Sequence, residues 1–234
     1  MEDKASYVQA MFTAIADRYD LLNSLLSFQQ DGAWRRFAVS KSGLQPGGLA
    51  LDVATGTAKM AQLLAQYNYG SRIVGVDFCP DMLDKARAKL ADSSDGSRIC
   101  LISGDVLGLP FPDNTFDCVS IGFALRNVVS IADAFREMAR VVKPGGKAVS
   151  LELTRPASWF VSPIYHAYLC HIMPYIGRLI SGNREAYSYL PRSILEFPSP
   201  REVKEIMEAA GLQRVETYRL TLGAATVHVG IKGG

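Results

Sequence analysis

The sequence predicts an α/β fold built on a mostly parallel, seven-stranded sheet whose last strand runs antiparallel. Three observations predict it. From Leu49 onward, short apolar runs alternate with amphipathic helical segments, the pattern of strand–helix–strand crossovers. The final two runs, Leu212–Leu220 and Ala225–Ile231, are joined by a short link holding Gly223, which favours an antiparallel hairpin. An apolar segment, residues 155–197, interrupts the rhythm only after the fifth strand.

The elements follow in order. Residues 1–45 read as a helical cap, with Phe12, Ile15, Tyr19 and Leu22 at helical spacing and a second apolar face on Trp34, Phe37 and Ala38. Gly43, Pro46, Gly47 and Gly48 form a turn-rich link. Leu49–Ala54, Arg72–Asp77, Ile99–Ser103, Phe116–Phe123 and Lys147–Leu153 read as strands. Between them, a glycine turn leads into a helix ending near Tyr67, and Pro80 opens another. Ile131, Phe135, Met138 and Val142 line one face of a third helix, stopped by Pro144-Gly145-Gly146. Ser199-Pro200-Arg201-Glu202 is a capping box that opens the last helix.

Bulk properties fit a single domain. The chain has 234 residues, 48% hydrophobic and 21% charged, enough for a sizeable core. A formal net charge of +2 without a dense Lys/Arg run argues against a nucleic-acid partner. Cys79, Cys100, Cys118 and Cys170 have no metal-like spacing and sit among apolar residues, so buried, reduced thiols are expected. Met1 to Tyr19 lacks an apolar signal core, and no secretory segment is expected there. Ala157 to Gly177 carries no Asp, Glu, Lys or Arg and by length alone spans a bilayer. Its interruption by Pro163 and Pro174, and its His166 and His171, favour an apolar lid or interfacial helix instead.

Four segments carry chemistry. Leu51-Asp52-Val53-Ala54-Thr55-Gly56-Thr57-Ala58 is a strand running through a glycine turn into a helix, where backbone approaches a ligand closely and unpaired N–H groups face an anion. A plain strand-to-helix turn is an equal rival. Asp77 ends the second strand about 20 residues past that glycine, the placement of a carboxylate that accepts ribose hydroxyls. The competing role is a helix N-cap. Gly104-Asp105-Val106 follows the third strand and can receive an adenine amino group, or simply make a turn. Leu109–Asp117 is a loop leading into the fourth strand. S-adenosylmethionine (SAM) and a nicotinamide dinucleotide compete for such a fold. The missing third glycine, Ala at position 61, weakens the dinucleotide.

These residues resemble the ubiquinone/menaquinone biosynthesis C-methyltransferases over nearly the whole chain. The resemblance rests on Ala16-Asp17-Arg18-Tyr19-Asp20-Leu21-Leu22-Asn23, Trp34-Arg35-Arg36, the glycine turn and Pro110-Phe111-Pro112-Asp113-Asn114. It continues through Leu125-Arg126-Asn127-Val128, His171-Ile172-Met173-Pro174 and Tyr187…Tyr189-Leu190…Ser193-Ile194. The Pro-Phe-Pro-Asp-Asn and Leu-Arg-Asn-Val segments together are specific. The resemblance implies a Rossmann-like class I SAM-dependent methyltransferase, with SAM as methyl donor and a prenylated quinol as acceptor, demethylmenaquinol preferred. Another small lipid or phenol, or a non-catalytic scaffold, are the alternatives. By position the donor contacts are Thr55, Gly56, Thr57, Asp77, Asp105, Val106 and Gly122. The chain departs from the family at Ala58-Lys59, where members usually have Gly-Asp. Ala58 suits a backbone of negative φ. Lys59 puts a cation at a helix start, where it is mildly unfavourable, unless it pairs with the carboxylate of SAM.

Carbon methylation of a quinol needs a hydroxyl proton removed, an in-line arrangement and exclusion of water, and no metal. Arg126 and Asn127, after the fourth strand, are the first candidates for ordering a water or the ring oxygen. Tyr19 (with Asp20) is placed to close over the site, and His171 is a candidate because imidazole titrates near neutrality. Core packing is the rival role for Tyr19 and His171, and a surface ion pair for Arg126. Trp159, Phe160, Tyr165, Tyr168 and Tyr175 suit a greasy lid and a bilayer interface alike. The expected setting is the cytoplasm or an organellar stroma or matrix with peripheral membrane contact, and homodimerisation is left open.

Overall fold

The computed structural model describes residues 4–156, 158–172 and 184–234. Three cap helices, α1 (Lys4–Ile15), α2 (Tyr19–Leu26) and α3 (Gln30–Lys41), precede β1 (Leu49–Val53). Then come α4 (Lys59–Tyr67), β2 (Arg72–Asp77), α5 (Pro80–Ala91), β3 (Ile99–Ser103), β4 (Phe116–Gly122), α6 (Ile131–Val141) and β5 (Val142–Leu153). The insertion contributes α7 (Val161–Ala167) and α8 (Arg184–Glu196), and the chain closes with α9 (Pro200–Ala209), β6 (Leu212–Leu220) and β7 (Ala225–Lys232).

The seven strands lie in the order β3-β2-β1-β4-β5-β7-β6. β1 pairs in parallel with β2 and β4, and β7 runs antiparallel to both β5 and β6. Strand order reverses between β1 and β4, so the crevice at their carboxyl ends is the switch point where open α/β sheets bind ligands. One apolar layer packs Met60, Ala61 and Leu64 of α4 against Ala50, Ile73 and Val149. The opposite layer packs Phe135 and Met138 of α6, with Val203 and Met207 of α9, against Val53, Val119 and Ile121. A third cluster ties Met11, Ile15, Leu22 and Leu26 of the cap to Leu169 and Ile194 of the insertion. The capping box of α9 is formed, with Glu202 N–H donating to Ser199 Oγ (3.4 Å) and Ser199 N–H to Glu202 Oε2 (2.7 Å).

Two expectations need correction. β5 begins at Val142, not Lys147, and keeps Pro144-Gly145-Gly146 within it. Phe116 pairs with Val142 and Cys118 already with Lys147, so the proline–glycine turn is taken up as a bulge opposite Asp117, with Gly145 at φ +79°. Cys79 and Cys118 are buried, but Cys170 is only half-buried and Cys100 is exposed. Cys100 lies on β3, at the edge of the sheet, at an exposed position of the strand. Among the described residues no helix is long and apolar enough to cross a membrane.

His228 on β7 gives the fold a pH dependence. It is buried, its Nε2–H donates to Pro200 O at 2.8 Å, and burial pushes its pKa down to about 4. The folded state keeps the ring neutral while the unfolded chain takes up a proton near the ordinary value of about 6.5. Stability is therefore held above that value and lost as pH falls from about 6.5 towards 4, by about 3 kcal/mol for this one group. Urea unfolding of His228→Gln should show a flatter acid limb than the wild type over that interval.

Candidate active site

The crevice at the switch point is lined by Ala54 and Gly56 from the loop after β1, Asp77 and Phe78 after β2, and Gly104, Asp105, Val106 and Leu107 after β3. Gly122, Phe123 and Asn127 complete it from β4 and the turn that follows. Gly56 sits at φ +56°, a conformation glycine takes at no steric cost. Asp77 is 6% exposed and its carboxylate accepts from Gly56 N–H (2.7 Å) and Cys79 N–H (2.9 Å). Burial raises its pKa despite those bonds. It is thus both the cap of the next turn and a desolvated acceptor facing the cleft. Asp105 caps Leu107 N–H at 3.0 Å and also lines the cleft. A Cβ on Gly122 would meet Met60 Cε at 3.1 Å and Arg35 Nη1 at 3.5 Å, so a side chain there requires the tip of Met60 to give way.

Thr55 and Thr57 lie behind this wall. Both are buried, and their hydroxyls are spent internally, Thr55 Oγ1 on Asp52 (2.7 Å) and Thr57 Oγ1 on Asp20 (2.9 Å). Asp52 also accepts from Ser120 Oγ at 2.7 Å, which ties β1 to β4 under the glycine turn. Full burial pushes its pKa up to about 6. Val8 and Phe12 of α1 and Tyr19 of α2 cover the outer side and narrow the cleft to about 80 Å³. Small-molecule sites typically hold roughly 300–1,000 Å³, more than this cleft offers with α1 in place.

The departure at Ala58-Lys59 has a structural answer. Ala58 adopts φ +62° and is fully buried, contrary to the expected negative φ. An L-residue there costs roughly 1–2 kcal/mol, while its methyl packs in the apolar layer around Met60 and Trp34. Lys59 Nζ lies 3.5 Å from Asp20 and 3.4 Å from Asp31, so carboxylates of α2 and α3 compensate the cation at the helix start. Asp20 is bound by Lys89 as well. Restoring the family's usual residue with Lys59→Asp would put three carboxylates together. Lys59 and Asp20 are partly exposed while Asp31 is buried, and the expected destabilisation is about 1 kcal/mol, read as a lower denaturation midpoint.

A second cavity, of about 870 Å³, opens beside the first. Leu26, Trp34, Phe123, Leu153, Tyr165 and Leu190 form much of its wall. Phe123 lines both spaces, held at φ +60° with Trp34 at 6.3 Å between ring centroids and the Arg35 guanidinium 4.7 Å above its ring. Arg126 is on the wall of this cavity and is no surface residue. Its side chain is 5% exposed and paired to Glu152, itself 2% exposed, at the end of β5. Arg126 Nη1 also donates to Phe123 O at 2.8 Å, and Glu152 accepts from Arg126 N–H (3.3 Å) and Leu153 N–H (2.8 Å). Asn127 Oδ1 accepts from Tyr189 Oη at 3.2 Å. A smaller space of about 30 Å³ between the cavities is bounded by Tyr19, Asn23, Arg126, Asn127 and Tyr189. Burial pushes the Tyr168 phenol up to about 12 and Tyr165 further in the same direction.

The side chain of His171, Pro174 and Tyr175 lie outside the described residues. Sequence reasoning missed Glu152, Phe123, Asn23 and Tyr189. Glu152 alone had a visible signal, a carboxylate inside the apolar run Ser150-Leu151-Glu152-Leu153, since a buried charge demands a partner.

A profile of the ubiE/COQ5 methyltransferase family matches residues 1–232. The chain belongs to that family. It is 45% identical over 233 residues to a ubiquinone/menaquinone biosynthesis C-methyltransferase of Geobacter sp. (strain M21), covering 99% of each chain. It is 44% identical over 220 residues to a demethylmenaquinone methyltransferase of Thermus thermophilus, covering 94% of this chain and 99% of the relative. Among solved structures, a SAM-dependent methyltransferase of Aquifex aeolicus superposes with a TM-score of 0.61 at 18% identity, covering 84% of this chain and 88% of the other. That likeness concerns the fold, which is the class I SAM methyltransferase fold. The chain is a methyltransferase with SAM as its methyl donor. The crevice has the chemistry such a donor needs, with the carboxylates of Asp77 and Asp105 as hydrogen-bond acceptors and Phe78, Val106 and Leu107 as apolar walls.

Proposed function

We propose that this chain methylates a ring carbon of a prenylated quinol, with demethylmenaquinol as the preferred acceptor. The observation that carries the reading is the abutment of two unlike spaces on Phe123: a cleft with carboxylates at β-strand ends, and an 870 Å³ apolar cavity with one buried arginine on its wall. The relatives are named for ubiquinone and menaquinone synthesis, and an apolar cavity of this size suits an isoprenoid acceptor.

The donor supplies an electrophilic methyl on a sulfonium sulfur. The protein's part is positioning, charge and dryness. Asp77, Asp105 and Gly56 would hold the donor's nucleoside end, with Val106 and Gly122 beside it. The acceptor ring lies against Phe123, so that a ring carbon next to a hydroxyl faces the cleft. Arg126 stays charged at any working pH and therefore stabilises the oxygen as it becomes a phenolate instead of taking its proton. The ring carbon bonds the methyl as the methyl–sulfur bond breaks; the hydroxyl proton goes to water, and the displaced ring hydrogen returns as a proton to the phenolic oxygen, which restores the aromatic ring. Tyr19 and the cap close the site against water. The test is incubation of the purified protein with SAM and demethylmenaquinol in detergent, in reduced and oxidised forms. A product heavier by one methyl should form from the quinol alone. Equal product from the quinone would contradict a nucleophilic ring.

The mouth of the large cavity also supports peripheral membrane contact. Phe28 is 71%, Leu222 75% and Ile172 50% exposed, and all three line it. Trp159 and Phe160 of the insertion are exposed as well. Replacing Trp159 and Phe160 by Ser should reduce co-sedimentation with lipid vesicles several-fold while leaving turnover of a short-chain acceptor in detergent unchanged.

A further inference from the structure

Two hydrogen-bond donors on residues that line the apolar cavity have no partner. Asn23 Nδ2 and Arg126 Nε are shut off from solvent, and neither has a hydrogen-bond partner. Both residues line the 870 Å³ cavity and the small space beside Asn127. Several other polar groups of that wall are engaged. Tyr168 Oη donates to Leu26 O at 2.7 Å, and Thr221 Oγ1 accepts from Trp34 Nε1 at 2.8 Å. Asp31 is taken by Arg35 and Lys59. Unpaired buried donors are costly and few in folded chains, and two on one apolar wall call for a ligand that brings the acceptors.

We infer that Asn23 is a specificity-determining residue: its amide N–H reads the second oxygen of the acceptor ring, while Arg126 Nε–H takes the oxygen that ionises. The assignment rests on the quinol reading above. Charge decides the division. The guanidinium binds a phenolate more strongly than an amide does, and the amide suffices for the oxygen that remains a neutral hydroxyl. α2 thereby acts as more than a cover, because its Tyr19 faces the donor cleft while Asn23, one helical turn further on, reads the acceptor. A site built to donate to an oxygen discriminates against a ligand that lacks it.

The test uses the full chain carrying Trp159→Phe, so that Trp34, on the cavity wall, is the only indole. Quenching of its fluorescence reports binding of a reduced short-chain demethylmenaquinol and of the matching 1-naphthol, which keeps one hydroxyl and lacks the other. With Asn23 present, the diol should bind about five- to tenfold tighter, the worth of one neutral hydrogen bond. Asn23→Leu should bind both equally, with an unchanged or higher melting temperature, because an unpaired buried donor has been removed. An Asn23→Leu protein that keeps the diol preference overturns the assignment. So does one that melts lower and loses both ligands alike, since that marks a structural role. If the Asn23 protein binds neither ligand, the quinol reading itself fails, and this assignment falls with it.

Discussion

Arg126→Met should destabilise the protein by about 3–5 kcal/mol, because it leaves Glu152 buried without its cation. The expected remedy separates structure from chemistry. Adding Glu152→Leu removes the stranded carboxylate and should restore most of the unfolding free energy in a urea titration, since a buried ion pair is often replaceable by apolar residues of similar volume. Methyl transfer should not return. Losing the group that stabilises a developing oxyanion typically costs roughly 10²–10³ in turnover. A double variant that regains both stability and turnover would reduce the pair to a packing device.

Asp77→Ala should weaken SAM binding by about 10²-fold or more, as expected when a buried carboxylate that accepts two hydroxyls is lost. Calorimetry with SAM or S-adenosylhomocysteine reads the effect directly. The variant also frees Gly56 N–H and Cys79 N–H, so a thermal melt must accompany it. pH supplies an independent check. Burial holds the Asp77 pKa above the ordinary carboxylate value. Only the ionised form accepts two hydroxyls, so donor affinity should be full at neutral pH and fall on acidification earlier than an unperturbed aspartate would dictate. Asp77→Asn should bind weakly throughout and without that acid limb.

Much of this architecture is legible in the chain before any coordinates. Strands buried on both faces, such as Leu49–Val53 and Arg72–Asp77, read as continuous apolar runs. The Ser199–Glu202 box and the Gly223 link are local signals with local causes. Asp77 is legible too, because its role follows from its offset from the glycine turn. What escapes is set by long-range pairing. Nothing near Arg126 in sequence announces Glu152, which lies on the neighbouring strand. Ala58 at positive φ is a tertiary override, in which packing against α3 and α4 holds a residue where glycine is the local preference. Lys59, unfavourable by the rule for helix starts, is stabilised by Asp20 and Asp31 from two other helices. Asn23 is invisible until the cavity around it is seen, since an asparagine in an amphipathic helix usually faces water.

The central claim is methyl transfer from SAM to a ring carbon of a quinol at the junction of the two spaces. The most direct measurement supplies the wild type with SAM carrying a ¹³C-labelled methyl and reduced demethylmenaquinol, and reads the product by NMR. A labelled methyl bonded to the ring carbon next to a hydroxyl is expected, formed by the wild type and not by Asp77→Ala. Label on oxygen would contradict it, since Arg126 is assigned to hold that oxygen as the ring carbon attacks.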